Sequence, residues 1–317
     1  MRIVFMGTPE FAVATLEAIY NNGFDIAAVI TTPDKPAGRG QKITSSEVKK
    51  FAMEHGLPVL QPEKLKDPDF LDQMRALNAD LFVVVAFRML PEALYNMPPL
   101  GTFNVHASLL PNYRGAAPIH HAVMNGEKTT GVTTFFLNNE IDKGDIIDNT
   151  EVEIGTEETT GELYERLKIE GAKLAIRTIR QIENGSVSLK KQNDIADNQI
   201  KLAPKIFKED TIIDWDQTSS AIFNKIRGLS PHPGAITRLQ NKEGETLILK
   251  CFKAKIVMQN PTAQPGIFTI LPDKSLIVST KDSQISLEIV QLQGKSRMDI
   301  KTFVSGFRKD NFINKLF

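Results

Sequence analysis

The sequence predicts an α/β protein: a doubly wound, mostly parallel, Rossmann-like sheet followed by a smaller, OB-like β-barrel. Three observations carry that expectation. Strand and helix signals alternate through the first half. One segment, Leu81-Phe82-Val83-Val84-Val85-Ala86, is apolar throughout, as a central parallel strand covered on both faces must be. Beyond Ile206 the alternation gives way to short β signals separated by turns. A chain of 317 residues, 41% hydrophobic and 24% charged, has enough material for two globular domains.

The elements follow in order. Residues 2–6 form a strand signal that ends in Gly7-Thr8-Pro9, with Thr8 as a helix N-cap and Pro9 as first helical residue. The helix runs to about Asn22, Gly23 ends it, and residues 26–31 read as the second strand. Thr44-Ser45-Ser46-Glu47 is a capping box for a helix ending at Gly56. Residues 57–60 make a brief strand, 62–78 a helix, and 102–106 and 133–138 two further strands. Thr159-Thr160 caps a long helix that ends near Gly185. After a polar, basic stretch, strands are expected at 235–239, 246–252, 266–270, 275–280 and 285–292, with a helix at 219–227. The domain boundaries so implied are 1–189 for a catalytic domain, 190–205 for a basic linker and 206–317 for the barrel.

Several function classes drop out. The lone cysteine, Cys251, excludes an internal disulfide framework, and no Cys/His cluster has zinc-ligand spacing. The longest apolar run, 81–87, is far short of a membrane span, and the first residues reach a Gly-Thr-Pro turn too soon for a secretory leader. A cytoplasmic protein that needs no metal, meets no membrane and works as a monomer is the expectation. The first turn lacks G-x-G-x-x-G and no P-loop is present, which argues against a nicotinamide dinucleotide or a nucleoside triphosphate. Net charge is zero, with 38 Lys and Arg against 38 Asp and Glu. From Ile206 onward, however, 16 Lys and Arg face 11 Asp and Glu, an asymmetry that suits an anionic partner.

The chemistry concentrates around residues 101–121. Side chains alternate across a strand, so Asn104 and His106 share one face at its carboxyl end while Phe103 and Val105 share the other. An amide donor beside an imidazole suits a developing oxyanion. A buried carboxylate near His106 would orient it, and Asp142 and Asp145 are both candidates. The glycine- and proline-rich stretch at 34–42 carries Lys35, Arg39 and Lys42, which can contact phosphates.

The run Asn104-Val105-His106-Ala107-Ser108-Leu109-Leu110-Pro111, followed by Arg114-Gly115-Ala116-Ala117-Pro118-Ile119, resembles the signature of the 10-formyltetrahydrofolate-dependent formyltransferase family. The segments 5–12, 33–40, 141–145, 213–215 and 227–231 resemble the same family, in the same order. That resemblance implies a formyltransferase fold and transfer of a formyl group from 10-formyltetrahydrofolate, as co-substrate, to the α-amino group of initiator methionyl-tRNA. It implies Asn104, His106 and Asp142 as the catalytic trio. Ser108, Leu109, Leu110 and Pro111 would line the folate site, with Phe87, Arg88 and Met89 against the pteridine. Lys35, Arg39 and Lys42 would meet the tRNA, Arg39 most strongly. The sequence departs from the common family pattern at Phe87-Arg88 and at Asn112-Tyr113. A formyltransferase acting on a small amine, such as glycinamide ribonucleotide or an amino sugar nucleotide, is the rival enzyme. A non-catalytic RNA- or folate-binding protein is the rival of another class.

Overall fold

The computed structural model describes residues 1–37, 42–192, 200–258, 260–261, 263–306 and 312–317. It divides into two compact units. The first comprises residues 1–115, 129–153 and 164–202, the second residues 116–128, 154–163 and 203–317.

The first unit is built on a seven-stranded sheet. In chain order its elements are β1 (Arg2–Gly7), α1 (Glu10–Asn21), β2 (Asp25–Ile30), β3 (Lys35–Ala37), β4 (Lys42–Thr44), α2 (Glu47–Glu54), β5 (Val59–Leu60), α3 (Pro68–Ala76), β6 (Leu81–Val85), α4 (Glu92–Tyr95) and β7 (Thr102–His106). α5 (Pro118–Met124) belongs to the second unit, and β8 (Thr129–Phe136), β9 (Ile146–Glu153) and the bulk of α6 (Thr160–Glu183) complete the first. The strand order is β5-β2-β1-β6-β7-β8-β9, with β5 to β7 parallel and β8 and β9 antiparallel at one edge. The chain winds from β1 outward through β2 and β5, then returns to β6 and winds the other way, so the predicted doubly wound sheet is present. Ligands of such sheets bind beyond the carboxyl ends of the strands, near the reversal. All five residues of β6 are buried, as its unbroken apolar run requires. One face of the sheet packs Val4, Met6, Ala28, Ile30, Phe82 and Val84 against Phe70, Met74 and Leu94 of α3 and α4.

Helix starts depart from expectation for local reasons. β1 extends through Gly7, which pairs with Val85, so the turn takes both Thr8 and Pro9 and α1 begins at Glu10. Pro9 is the cap residue and Thr8 makes no capping bond. Gly7 is required there, because a Cβ would lie 2.6 Å from that of Ala12. α2 is capped by Ser46, which accepts from the Lys49 N–H at 3.1 Å, because Thr44 is drawn into β4. α3 starts at Pro68, not Pro62, since the Asp67 carboxylate accepts from the Asp69 N–H at 3.0 Å and Pro68 stands in the first turn. α6 is capped as expected, here by a reciprocal box: the Glu162 N–H donates to Thr159 Oγ1 at 3.3 Å, and the Thr159 N–H donates to the Glu162 carboxylate at 2.8 Å.

The second unit is a nearly closed antiparallel barrel. Its elements, besides α5, are α7 (Ser219–Gly228), β10 (Ala235–Asn241), β11 (Thr246–Val257), β12 (Phe268–Ile270), β13 (Leu276–Ser279), β14 (Gln284–Leu292), β15 (Met298–Asp299), α8 (Ile300–Gly306) and β16 (Phe312–Leu316). The order β12-β13-β14-β11-β10-β16 is brought round by a bridge between Ile267 and Lys315 and a 2.8 Å bond from the Leu316 N–H to the Gly266 carbonyl. Gly266 permits this closure: its φ is +83°, and a Cβ would sit 2.6 Å from the Leu316 oxygen. The barrel encloses Trp215, Ile222, Ile226, Cys251, Phe268, Val278 and Leu287. All five expected strands are found, whereas β15, β16 and α8 were not foreseen. Among the described residues no helix is long and apolar enough to cross a membrane.

Candidate active site

Asn104 and His106 lie on β7, whose register pairs Asn104 with Val84 of β6 and with Phe135 of β8. Phe103 and Val105, on the opposite face, are buried, which fixes the parity of the strand and turns the amide and the imidazole to the same side. Among the described residues the Asn104 side chain has no hydrogen-bond partner. Its two N–H donors are therefore available to a ligand.

His106 is almost fully enclosed, at 6% exposure, with the ring of Phe135 edge-on to it. Its Nε2 lies 2.9 Å from the backbone carbonyl of Tyr113. A carbonyl can only accept, so Nε2 carries the proton, and in the neutral ring the lone pair is on Nδ1. Nδ1 faces the carboxylate of Asp142, with Oδ2 at 3.8 Å. The Tyr113 carbonyl thus selects the tautomer, and Asp142 faces the ring across a gap too long for a hydrogen bond. Of the two candidates in the turn, Asp142 faces the imidazole. Asp145 contributes its backbone, accepting from the Phe136 N–H at 3.0 Å.

Three residues without the freedom of glycine hold a left-handed backbone here: Ala86 after β6 (φ 47°), Tyr113 (φ 62°) and Asp142 (φ 54°). Such strain persists only where neighbours enforce it. For Asp142 the neighbours are explicit. Its Oδ2 accepts from the Gly115 N–H at 2.9 Å. Its own carbonyl accepts from Gln192 Nε2 at 3.0 Å, and the same nitrogen reaches the Gly144 carbonyl at 2.7 Å.

The segment 107–113 folds on itself. The Ser108 hydroxyl donates to the Asn112 carbonyl at 2.7 Å, Thr133 Oγ1 donates to the Ser108 carbonyl at 2.7 Å and receives the Leu110 N–H at 3.2 Å, and the Leu110–Pro111 peptide is cis. Leu110 is buried against Phe135 and Ile146, so of the expected folate-lining residues Leu109 and Pro111 remain the more accessible. Arg88 donates to the carbonyls of Glu63 and Pro62 at 3.0 and 2.8 Å and stands over the Phe87 ring, and burial draws its pKa below the usual arginine value. Its guanidinium thus braces the loop before α3, while Met89 is 67% exposed.

Lys35 is exposed on β3 and Lys42 lies on β4, the two strands of a short hairpin; Arg39 is outside the described residues, as are residues 193–199 of the basic linker. The hairpin is rooted by Asp34, whose carboxylate meets Lys49 at 2.6 Å and Gln61 at 2.8 Å. The Lys49 hydrogen bond, then that of Gln61, holds the Asp34 carboxyl below the usual carboxylate range. His120 and His121 occupy α5 and bond to the carbonyls of His232 and Pro204, which belong to the same unit. Sequence reasoning missed the Tyr113 carbonyl, Thr133 and Gln192. The first is a backbone group that no residue type announces, and the last sits in a polar stretch without periodicity. Among the described residues no cluster of three His, Cys, Asp or Glu could hold a metal ion.

Comparison with known proteins identifies the family. Residues 1–179 match the formyl transferase family and residues 205–308 the formyl transferase C-terminal domain. A methionyl-tRNA formyltransferase of Azobacteroides pseudotrichonymphae genomovar. CFP2 is 49% identical over 310 residues, covering 96% of this chain and 95% of that one. One from Bacteroides fragilis is 46% identical over 308 residues, covering 97% and 95%. The solved N-formyltransferase of Helicobacter canadensis, in complex with folinic acid and dTDP-3-aminofucose, superposes with a TM-score of 0.65 over 90% of this chain and 98% of its own, at 22% identity. At that identity the match speaks for the fold alone. From its first strand to its barrel, the chain belongs to the formyl transferase family.

Proposed function

We propose that Asn104, His106 and Asp142 carry formyl transfer in this chain. The reaction follows from the family and from full-length similarity: the chain transfers the formyl group of 10-formyltetrahydrofolate to the α-amino group of methionine on initiator methionyl-tRNA, giving formylmethionyl-tRNA for translation initiation. The observation that supports the trio is the unpartnered Asn104 amide, set two residues from a histidine whose proton is fixed on Nε2.

The co-substrate supplies an activated formyl group, and the residues present fit the task of handling it. An α-amino group titrates at about 7.7–8.0, so a useful neutral fraction attacks without a strong base. Asn104 donates to the formyl oxygen as negative charge develops there. His106 takes the amine proton on Nδ1, where the Asp142 carboxylate 3.8 Å away attracts it, and releases it to the departing folate nitrogen. Asp142 thereby balances the transient imidazolium. No covalent intermediate with the enzyme is required.

In the same proposal Ser108, Leu109, Leu110 and Pro111 shape the folate site, with Ser108 acting through the loop it closes. Phe87, Arg88 and Met89 border the pteridine. Lys35, Arg39 and Lys42 contact tRNA phosphates, and the basic barrel at 206–317, joined to the catalytic domain 1–189 by the linker 190–205, adds further contacts. The chain works as a monomer in the cytoplasm, where its tRNA substrate is used.

The test is formylation with 10-formyltetrahydrofolate and, in parallel, charged initiator tRNA, glycinamide ribonucleotide or an amino sugar nucleotide. Transfer to methionyl-tRNA alone is expected; transfer to a small amine in its place overturns the reading. Binding of tRNA weakens with salt, because phosphate contacts release counterions, and a flat salt profile removes the basic hairpin and barrel from the interface.

A further inference from the structure

We infer that Gln192 is a positioning residue for catalysis, which holds the Asp142 carboxylate toward His106 by clamping the turn that carries it. The inference rests on the catalytic reading of Asp142 given above and names what that reading leaves out.

A pair of backbone bonds places Gln192. The Ile146 N–H donates to the Lys190 carbonyl at 2.8 Å, and the Lys190 N–H returns the bond to Ile146 at 2.9 Å. In this antiparallel pairing, two residues beyond Lys190 stands opposite two residues before Ile146, so Gln192 lies across from Gly144. The residue is 4% exposed, and all four hydrogen-bonding positions of its amide are used. Nε2 donates to the carbonyls of Asp142 and Gly144, at 3.0 and 2.7 Å. Oε1 accepts from Arg114 Nε and Nη2, at 3.2 and 2.9 Å, and Arg114 is itself 6% exposed. The orientation of the amide admits no flip. Reversed, its N–H groups would face a guanidinium that only donates, and its oxygen would face two carbonyls that only accept.

The turn needs this clamp. Asp142 sits at φ 54°, and the neighbouring Ile141 side chain is 64% exposed, so nothing apolar anchors that end. At the other end Gly144 lies so close to β8 that a Cβ would overlap the Phe136 carbonyl. A closed circuit results. Arg114 holds Gln192, Gln192 holds the Asp142 backbone, and Gly115, next to Arg114 in the chain, donates its N–H to the Asp142 carboxylate at 2.9 Å. Loss of the amide leaves two carbonyls and the guanidinium without these partners, and the turn can relax by shifting Asp142. Displacement of a catalytic group by about 1 Å can cost roughly a hundredfold in rate.

The experiment is a double-mutant cycle on the full chain, reading kcat, both KM values and the melting temperature. Gln192→Met, near in size and without donors, is expected to lower kcat roughly ten- to a hundredfold with both KM values within about twofold. In the Asp142→Asn background the same change is expected to cost less than about twofold, because the carboxylate it positions is gone. An equal loss in both backgrounds, or a wild-type kcat for Gln192→Met, overturns the inference. Gln192→Glu covers the case in which methionine prevents folding. It keeps the acceptor for Arg114 but offers an oxygen to the two carbonyls, so it too must lose kcat, and normal turnover there overturns the clamp. If Asp142→Asn alone keeps full activity, the fault lies with the catalytic reading of Asp142, and the inference falls with it.

Discussion

The two units differ in where they put their polar groups. In the first, His106, Ser108, Arg114, Thr133 and Gln192 are all enclosed, and among the described residues the Asn104 amide has no hydrogen-bond partner. In the second, one buried polar chain ties the strands that close the barrel. The Trp215 indole donates to Thr237 Oγ1 at 2.9 Å, and that hydroxyl donates to the Phe317 carbonyl at 3.0 Å. On its strands Lys253 and Lys255 share Glu288 at 3.8 and 2.8 Å, and the buried Arg227 of α7 donates to the Glu158 carbonyl at 2.9 Å. The contrast has a topological cause. A parallel sheet ends in a crevice that loops must line, so polar groups gather there. A barrel uses up its strand edges in closing and leaves an outer surface that only solvent or a partner meets.

If the barrel polar groups are there for closure, breaking one should open the barrel. Trp215→Ala is expected to remove about 3–5 kcal/mol of stability, the usual cost of deleting a buried indole. Cys251 provides the readout. It is fully buried in the same core, and burial pushes its thiol up to about 12, so the native chain should resist thiol reagents at pH 8. In the variant the labelling rate should rise by two orders of magnitude or more, in step with the opening equilibrium. Unchanged labelling would mean that Trp215 does not hold the barrel shut.

If the polar groups of the first unit are there for chemistry, removing Asn104 should affect turnover and not folding. Asn104→Ala is expected to lose roughly two to three decades in kcat, the value of about 3–4 kcal/mol for an oxyanion donor, with an unchanged melting temperature. Near-normal single-turnover formylation would remove Asn104 from that role. A fall in stability comparable to the loss in rate would erase the contrast between the units.

Much of this contrast is legible in the sequence. The unbroken apolar run of β6 marks a central strand, and alternation in β7 puts Asn104 and His106 on one side because Phe103 and Val105 must be buried. What escapes is set by turns and by pairing between distant segments. Thr8 fails as a cap because β1 continues through Gly7. β8 begins at Thr129, earlier than expected, because Gly131 lets the strand approach β9 closely, where a Cβ would lie 2.2 Å from the Thr150 carbonyl. The choice between Asp142 and Asp145 depends on one left-handed residue, and the partner of that turn, Gln192, lies 50 residues away.

The smallest expected effect is at the surface, where the polar bonds of the α6 capping box are exposed in either scheme. Thr159→Ala should cost about 1 kcal/mol, the ordinary worth of an N-cap. Glu162→Gln should cost less and should bring a pH dependence. The Thr159 backbone N–H, then its hydroxyl, holds the Glu162 carboxyl below the usual carboxylate range. A group whose folded pKa is depressed adds stability above its unfolded value and loses it as pH falls through the folded one. Denaturation of both proteins from pH 7 downward should therefore show a small gap that narrows below the usual glutamate range and closes in stronger acid. Because the carboxylate is solvated and screened, that gap should stay well under the cost of Thr159→Ala. A gap that widens in acid would mean that the box is held by something other than the charged carboxylate.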